Sequence, residues 1–94
     1  MLNHIEANEL FDVYGELLTS RQQEILDLYY REDLSYTEIS EELGISRAAV
    51  QDSVRKSIKQ LEKYESVIQY IHKSKQILQL IEKEELRKKV EELL

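Results

Sequence analysis

An all-α fold is predicted by three features of the chain. The sequence holds no proline and only two glycines, Gly15 and Gly44, so almost nothing interrupts a helix. Apolar residues return at intervals of three and four rather than alternating with polar ones, which is the period of a helix and not of a strand. Short polar residues able to cap a helix stand just ahead of several of these periodic runs. At 94 residues the chain is expected to form one small helical domain, 1–94, with a core of three or four helices and a modest buried fraction.

The first helix is placed after Asn3, with Glu6 three residues on to complete its cap, and Leu10, Phe11, Tyr14, Leu17 and Leu18 form its core stripe. Thr19 caps the second, with Gln22 at the third helical position. Ile25, Leu26, Leu28, Tyr29 and Tyr30 then give that helix a broad apolar and aromatic surface that ends near Arg31 to Asp33. Tyr29 and Tyr30 continue the core stripe and have no basic groove beside them, so they read as packing residues rather than a platform for stacked bases, with at least one substantially buried.

Residues 34–65, LSYTEISEELGISRAAVQDSVRKSIKQLEKYE, organise the rest. Ser35 and Glu38 form a capping box inside a staple of Leu34 and Ile39, so a helix starts at Tyr36. Ser46 caps the next helix within a staple of Ile45 and Val50, although Ala49 cannot close a reciprocal box. Gly44 lies between them, where a helix can end in the left-handed conformation without a steric penalty. This is the spacing of a helix-turn-helix, expected at 35–63 within a module at 19–65. Ile39, Leu43, Ile45, Val50 and Val54 point inward, and Ser40 is small where the second helix crosses.

The outward set is the candidate nucleic-acid-binding surface. Arg47, Ala48, Gln51, Asp52 and Arg55 lie where a recognition helix faces the major groove, with Ser46 as its cap. Arginine can read guanine and glutamine adenine through paired hydrogen bonds, while Lys56, Lys59 and Lys63 are placed to meet phosphates along the flank. A charged outward face is also what any solvated helix carries, so a helical pair used only for protein contacts stands beside the DNA-binding reading. Asp52 weakens simple base reading, because a carboxylate accepts from cytosine N4 but is repelled by phosphates.

The second helix is longer than one turn of major groove requires, running on through Ile58, Leu61 and Tyr64. Beyond it a C-terminal helical extension, 66–94, carries Val67, Ile68, Ile71, Ile77, Leu78, Leu80 and Ile81, then a changed register at Leu86, Val90, Leu93 and Leu94. The shift near Glu82 to Glu85 argues against an unbroken heptad seam, and the apolar content makes the extension a candidate dimerisation element.

The formal net charge is −6, and its distribution matters more than its sum. Residues 1–33 hold eight acidic and two basic side chains, whereas 34–64 hold five of each and 65–94 six of each. The positive footprint of the reading helix is weak beside that of an autonomous DNA-binding domain, which favours weak or partner-assisted binding. With no cysteine, disulfides and thiolate metal sites are excluded. Neither a signal segment nor an apolar membrane span is legible, so the chain reads as cytoplasmic with no membrane insertion. His4 and His72 lack the neighbours of a metal site and read as surface or packing residues. No phosphate loop or nucleophile motif is found, so neither catalytic, metal nor cofactor-binding residues are expected and the protein is not read as an enzyme.

The stretch TSRQQEILDLYYREDLSYTEISEELGISRAAVQDSVRKSIKQL resembles region 4 of bacterial sigma factors, the part that reads the −35 promoter element and contacts RNA polymerase. Together, FDVYGELLTSRQQEILDLYYREDLSYTEIS and ISRAAVQDSVRKSIKQLEKYE resemble, over most of the chain, a family of small bacterial proteins with a sigma-like helix-turn-helix. Its genes lie beside those of the signal recognition particle GTPase and its receptor. The resemblance implies a sigma region-4-like helix-turn-helix bundle of four or five helices, with Arg47, Ala48, Gln51, Asp52 and Arg55 as base-reading positions. It also implies a regulatory role and a link to the signal recognition particle pathway. No sigma region 2 precedes the module, so promoter melting is not expected. DNA is the expected partner, with a signal recognition particle component, RNA polymerase or a second copy as further candidates. The alternatives are a non-enzymatic protein-interaction adaptor on a sigma-like scaffold, or a binder of signal recognition particle RNA.

Overall fold

In a computed structural model, which describes residues 3–80 and 84–94, α4 (Arg47–Ile68) is a 22-residue rod, and α1 (His4–Tyr14), α2 (Ser20–Leu26) and α3 (Tyr36–Leu43) pack against it. Two further helices, α5 (Tyr70–Leu80) and α6 (Glu84–Leu93), follow, and the molecule measures 51 × 24 × 21 Å. The fold is all-helical, as the sequence predicts, and no strand occurs among the described residues.

The helix starts lie where the sequence puts them because each is fixed by a side chain three residues away. Asn3 accepts the Glu6 amide at 2.8 Å. The Thr19 and Gln22 box closes in both directions, at 3.2 and 3.0 Å. The Ser35 and Glu38 box does the same at 3.1 and 3.0 Å. These bonds occupy amides that a helix N-terminus otherwise leaves unpaired.

The core is one cluster. Val50, Val54, Ile58 and Leu61 of α4 are almost wholly buried and meet Leu10, Phe11 and Tyr14 of α1, Ile25 and Leu26 of α2, and Ile39 of α3. Leu43 and Ile45 are half-buried at its edge, in keeping with their inward assignment. Ser57 is buried on the same stripe with no partner for its hydroxyl. Tyr30 is 7% exposed and Tyr29 half-buried, so the packing role expected of this pair holds.

Three departures from the sequence reading have local causes. Leu17, assigned to the core stripe, is 57% exposed, because α1 stops at Tyr14 and residues 15–17 tighten into a 3₁₀ turn that turns Leu17 away from that stripe. Gly15 sits under the Phe11 ring, where an added Cβ would fall 2.6 Å from Phe11 Cδ1. The second helix does not stay regular to its end: Asp27–Arg31 widen into a π-turn, closed by the Glu32 amide donating to the Asp27 carbonyl at 3.0 Å. Arg31 then reaches Asp12 at 2.6 Å and Asp27 at 3.1 Å and lies 4.5 Å over the Phe11 ring, tying the turn to α1.

The third concerns the extension. Val67 and Ile68 prolong α4 instead of opening the next helix, and the break falls at Gln69, which adopts a left-handed conformation (φ 55°). Along α5 only Ile71 packs on the core, while Leu80 and Leu93 are 82% and 86% exposed. Ile81 and the register change expected at Glu82 to Glu85 lie outside the residues and side chains described.

Two substitutions test this packing by urea denaturation. Ser57→Ala should raise stability by about 1 kcal/mol, since it removes an unpaired buried hydroxyl and favours the helix. Gly15→Ala should lower it by roughly 1–3 kcal/mol through overpacking against Phe11. A Gly15→Ala protein as stable as its parent would mean that the Phe11 ring is free to move aside.

Candidate nucleic-acid interface

The geometry of the helix pair is set at two residues. Gly44 ends α3 with φ 68°, a left-handed conformation that side chains with a Cβ disfavour, and its amide donates to the Ser40 carbonyl. Two residues later Ser46 caps α4, accepting the Ala49 amide at 3.0 Å. Ile39 below and Val50 and Val54 above are buried to 0% exposure, so the crossing leaves α4 no freedom to roll about its axis.

With the helix so oriented, Ser46, Arg47, Ala48, Gln51, Arg55, Lys56, Lys59 and Lys63 are exposed and Asp52 is half-exposed. Arg47, Gln51, Arg55, Lys59 and Lys63 are spaced by four and make one ridge, with Ala48, Asp52 and Lys56 on the next. A ridge of this kind advances by about 40° at each step, so the five residues wind about 160° round the axis while rising roughly 24 Å. Arg47, Gln51 and Arg55 therefore share one face. Lys59 and Lys63 turn progressively away from it, which suits a flank and not the base-facing surface.

Asp52 holds the middle of this surface. It accepts from Lys56 at 3.0 Å and from Arg55 at 3.2 Å. The Lys56 ammonium first, and then the Arg55 guanidinium, pull its carboxyl below the usual aspartate range. One carboxylate thus pairs with two of the five cations on α4 and offsets one of their charges. Arg47, Lys59 and Lys63 make no ion pair among the described residues.

One aromatic group beside this surface is absent from the sequence reading. Tyr36, the first residue of α3, stacks on Tyr29 with ring centroids 4.9 Å apart and planes 21° from parallel. Tyr29 meets Tyr30 edge-on at 4.8 Å, and His4 caps Tyr30 at 4.9 Å. Burial, and then a hydrogen bond with Tyr29, push the Tyr36 phenol up to about 12, against the opposing charge of Arg55. It stays neutral. The sequence signal was a large aromatic directly after a capping residue; its stacking partner depends on the π-turn, which no simple period encodes.

A buried crossing, a left-handed glycine turn and an exposed, capped second helix define a helix-turn-helix protein. The comparisons agree. The family model described as "UPF0122: Putative helix-turn-helix protein, YlxM / p13 like" matches residues 1–94, and the chain belongs to that family. It is 43% identical over 76 residues to the UPF0122 protein of Oceanobacillus iheyensis, covering 81% of this chain and 72% of the relative. The corresponding figures are 42% over 79 residues for the UPF0122 protein of Mycoplasma capricolum, covering 84% and 70%, and 42% over 73 residues for that of Symbiobacterium thermophilum, covering 78% and 68%.

The Asp52 triad makes a pH prediction. A carboxyl whose folded pKa is depressed adds stability above its unfolded value of about 3.9 and loses it as pH falls through the folded value. An NMR titration of the Asp52 carboxyl should give a midpoint below about 3.9, and the Arg55→Ala, Lys56→Ala double variant should move it back up. An unshifted midpoint in the parent protein would show that the triad does not form in solution.

Proposed function

We propose that this protein is a regulatory DNA-binding protein that presents the N-terminal half of α4 to the major groove. The observation that supports it most strongly is the Arg47, Gln51 and Arg55 face: three side chains able to pair with base edges, exposed on one side of a helix whose other side is locked into the core. Lys56, Lys59 and Lys63 follow as phosphate contacts. Asp52 tempers the field, so binding is weak until a phosphate or base displaces it from Arg55 and Lys56. Participation in the signal recognition particle pathway, with a component of that particle or RNA polymerase as partner, rests on the sigma-like resemblance.

The second reading, an adaptor that keeps the helix pair for protein contacts, is favoured by the same Asp52 pairing, since it engages two of the cations and offsets one positive charge. A salt-dependent binding screen against genomic DNA fragments and signal recognition particle RNA separates the two. Arg47→Ala with Gln51→Ala should leave helicity and melting nearly unchanged, at about 0.5 kcal/mol or less per site, while abolishing sequence preference and keeping part of the salt-dependent attraction. Asp52→Asn should strengthen binding roughly threefold or more by releasing Arg55 and Lys56. Unchanged specificity in a folded double variant would move the assignment to the adaptor.

Self-association completes the proposal. Ile77, Leu80, Leu86 and Leu93 are exposed on α5 and α6, and a twofold contact through them would offer two reading helices to half-sites about one DNA turn apart. Sedimentation should show a dimer for the parent and a monomer for Leu80→Glu with Leu93→Glu. Concentration-independent monomers of the parent would exclude the arrangement.

A further inference from the structure

Far along α4 from the reading face, an open apolar groove of about 340 Å³ lies between α1, the end of α4 and the start of α5. Leu10 and Ile71 line it, and Glu6 and Glu9 from α1 and Glu62 and Glu65 from α4 stand around it. A second cavity, of about 300 Å³, shares Glu9 and Ile71 and continues past Val13 and Leu78. The carboxylates are unequally satisfied. Glu65 accepts from the Tyr14 hydroxyl and from the His72 amide at 3.0 Å, and Glu9 pairs with Lys75 at 3.0 Å. Glu6 and Glu62 make no ion pair among the described residues, so four carboxylates face one ammonium around an aliphatic surface.

We infer that this groove docks a basic amphipathic helix of a partner protein, with apolar side chains entering between Leu10 and Ile71 and lysine or arginine heads meeting Glu6 and Glu62. The charge excludes nucleic acid, which the same carboxylates repel. The aliphatic lining excludes a simple cation, which gains nothing from it, and no group of metal-ligating side chains occurs among the described residues. The chain's own α6 reaches only the second cavity, which Glu91 and Leu94 line and where Tyr70 donates to the Leu94 carbonyl at 2.6 Å, and leaves the first groove uncovered. A second copy's α6 mixes Arg87, Lys88 and Lys89 with Glu91 and Glu92, and Arg87 is already paired with Glu91 at 3.8 Å. Long aliphatic stems that end in a charge fit such a groove, because stem and head find apolar and acidic surroundings at once. Gln51 and Glu65 are roughly 21 Å apart along α4, so the partner and a nucleic acid can be held together, and the docking stands whether or not the reading face binds DNA.

The test is fluorescence anisotropy of a labelled synthetic helix with leucines on one face and lysines on the other, titrated with the full chain. Two further peptides replace the leucines by glutamine or the lysines by glutamate. The leucine and lysine peptide should bind and both others should not. Glu6→Gln with Glu62→Gln should weaken binding roughly fivefold. Ser66→Phe, which fills the groove from an exposed position, should abolish it with melting unchanged, and the control Glu41→Gln with Glu42→Gln on α3 should have no effect. No binding of the first peptide would overturn the inference. So would equal binding of the glutamine peptide, equal loss in the control, or full binding by Ser66→Phe, each of which would reduce the effect to general charge attraction.

Discussion

Burial of one stripe of α4 is the constraint on which the remaining structure depends. Val50, Val54, Ser57, Ile58 and Leu61 are 0–1% exposed, and α1, α2 and α3 all rest on them. Complete burial of the four aliphatic side chains among them is worth about 1.5–3 kcal/mol each, more than an exposed ion pair contributes. Because the stripe fixes α4 in rotation, it also fixes which residues face outward. The candidate interface is the complement of the core.

A second constraint secures the far end of α4. Tyr14, 3% exposed, donates to Glu65 and accepts the Tyr70 amide at 3.3 Å, while Glu65 also takes the His72 amide. Burial first, and then the Glu65 carboxylate beside it, push the Tyr14 phenol above its ordinary value, so it keeps its proton. Two amides at the start of α5 are thereby satisfied by groups from α1 and α4. This is how a helix with no fully buried residue of its own is placed, and the placement forms the acidic groove.

The two ends of α4 thus have opposite chemistry. Near Arg47 the exposed groups are cationic and partly restrained by Asp52; near Glu65 they are anionic around an apolar lining. A net charge of −6 conceals this division, as a sum over a chain must. No helix among the described residues is long and apolar enough to cross a membrane.

What the sequence determined by itself is what depends on neighbours three or four residues away. The caps at Asn3, Thr19, Ser35 and Ser46, the left-handed turn at Gly44, and the inward and outward faces of α4 all lie within the reach of one helical turn. The pairing of Asp52 with Arg55 and Lys56 spans the same short reach, but the sequence placed Asp52 only among the base-facing positions, and the structure supplies the pairing. Only the tertiary structure decided the π-turn at Asp27–Arg31, the exposure of Leu17, the stack of Tyr36 on Tyr29, and the break at Gln69, which lacks the glycine or asparagine expected after a helix. The groove belongs with these, because Tyr14 and Glu65 meet across 51 positions of sequence. Such contacts are set by how filled helices fit together, and no local period carries that information.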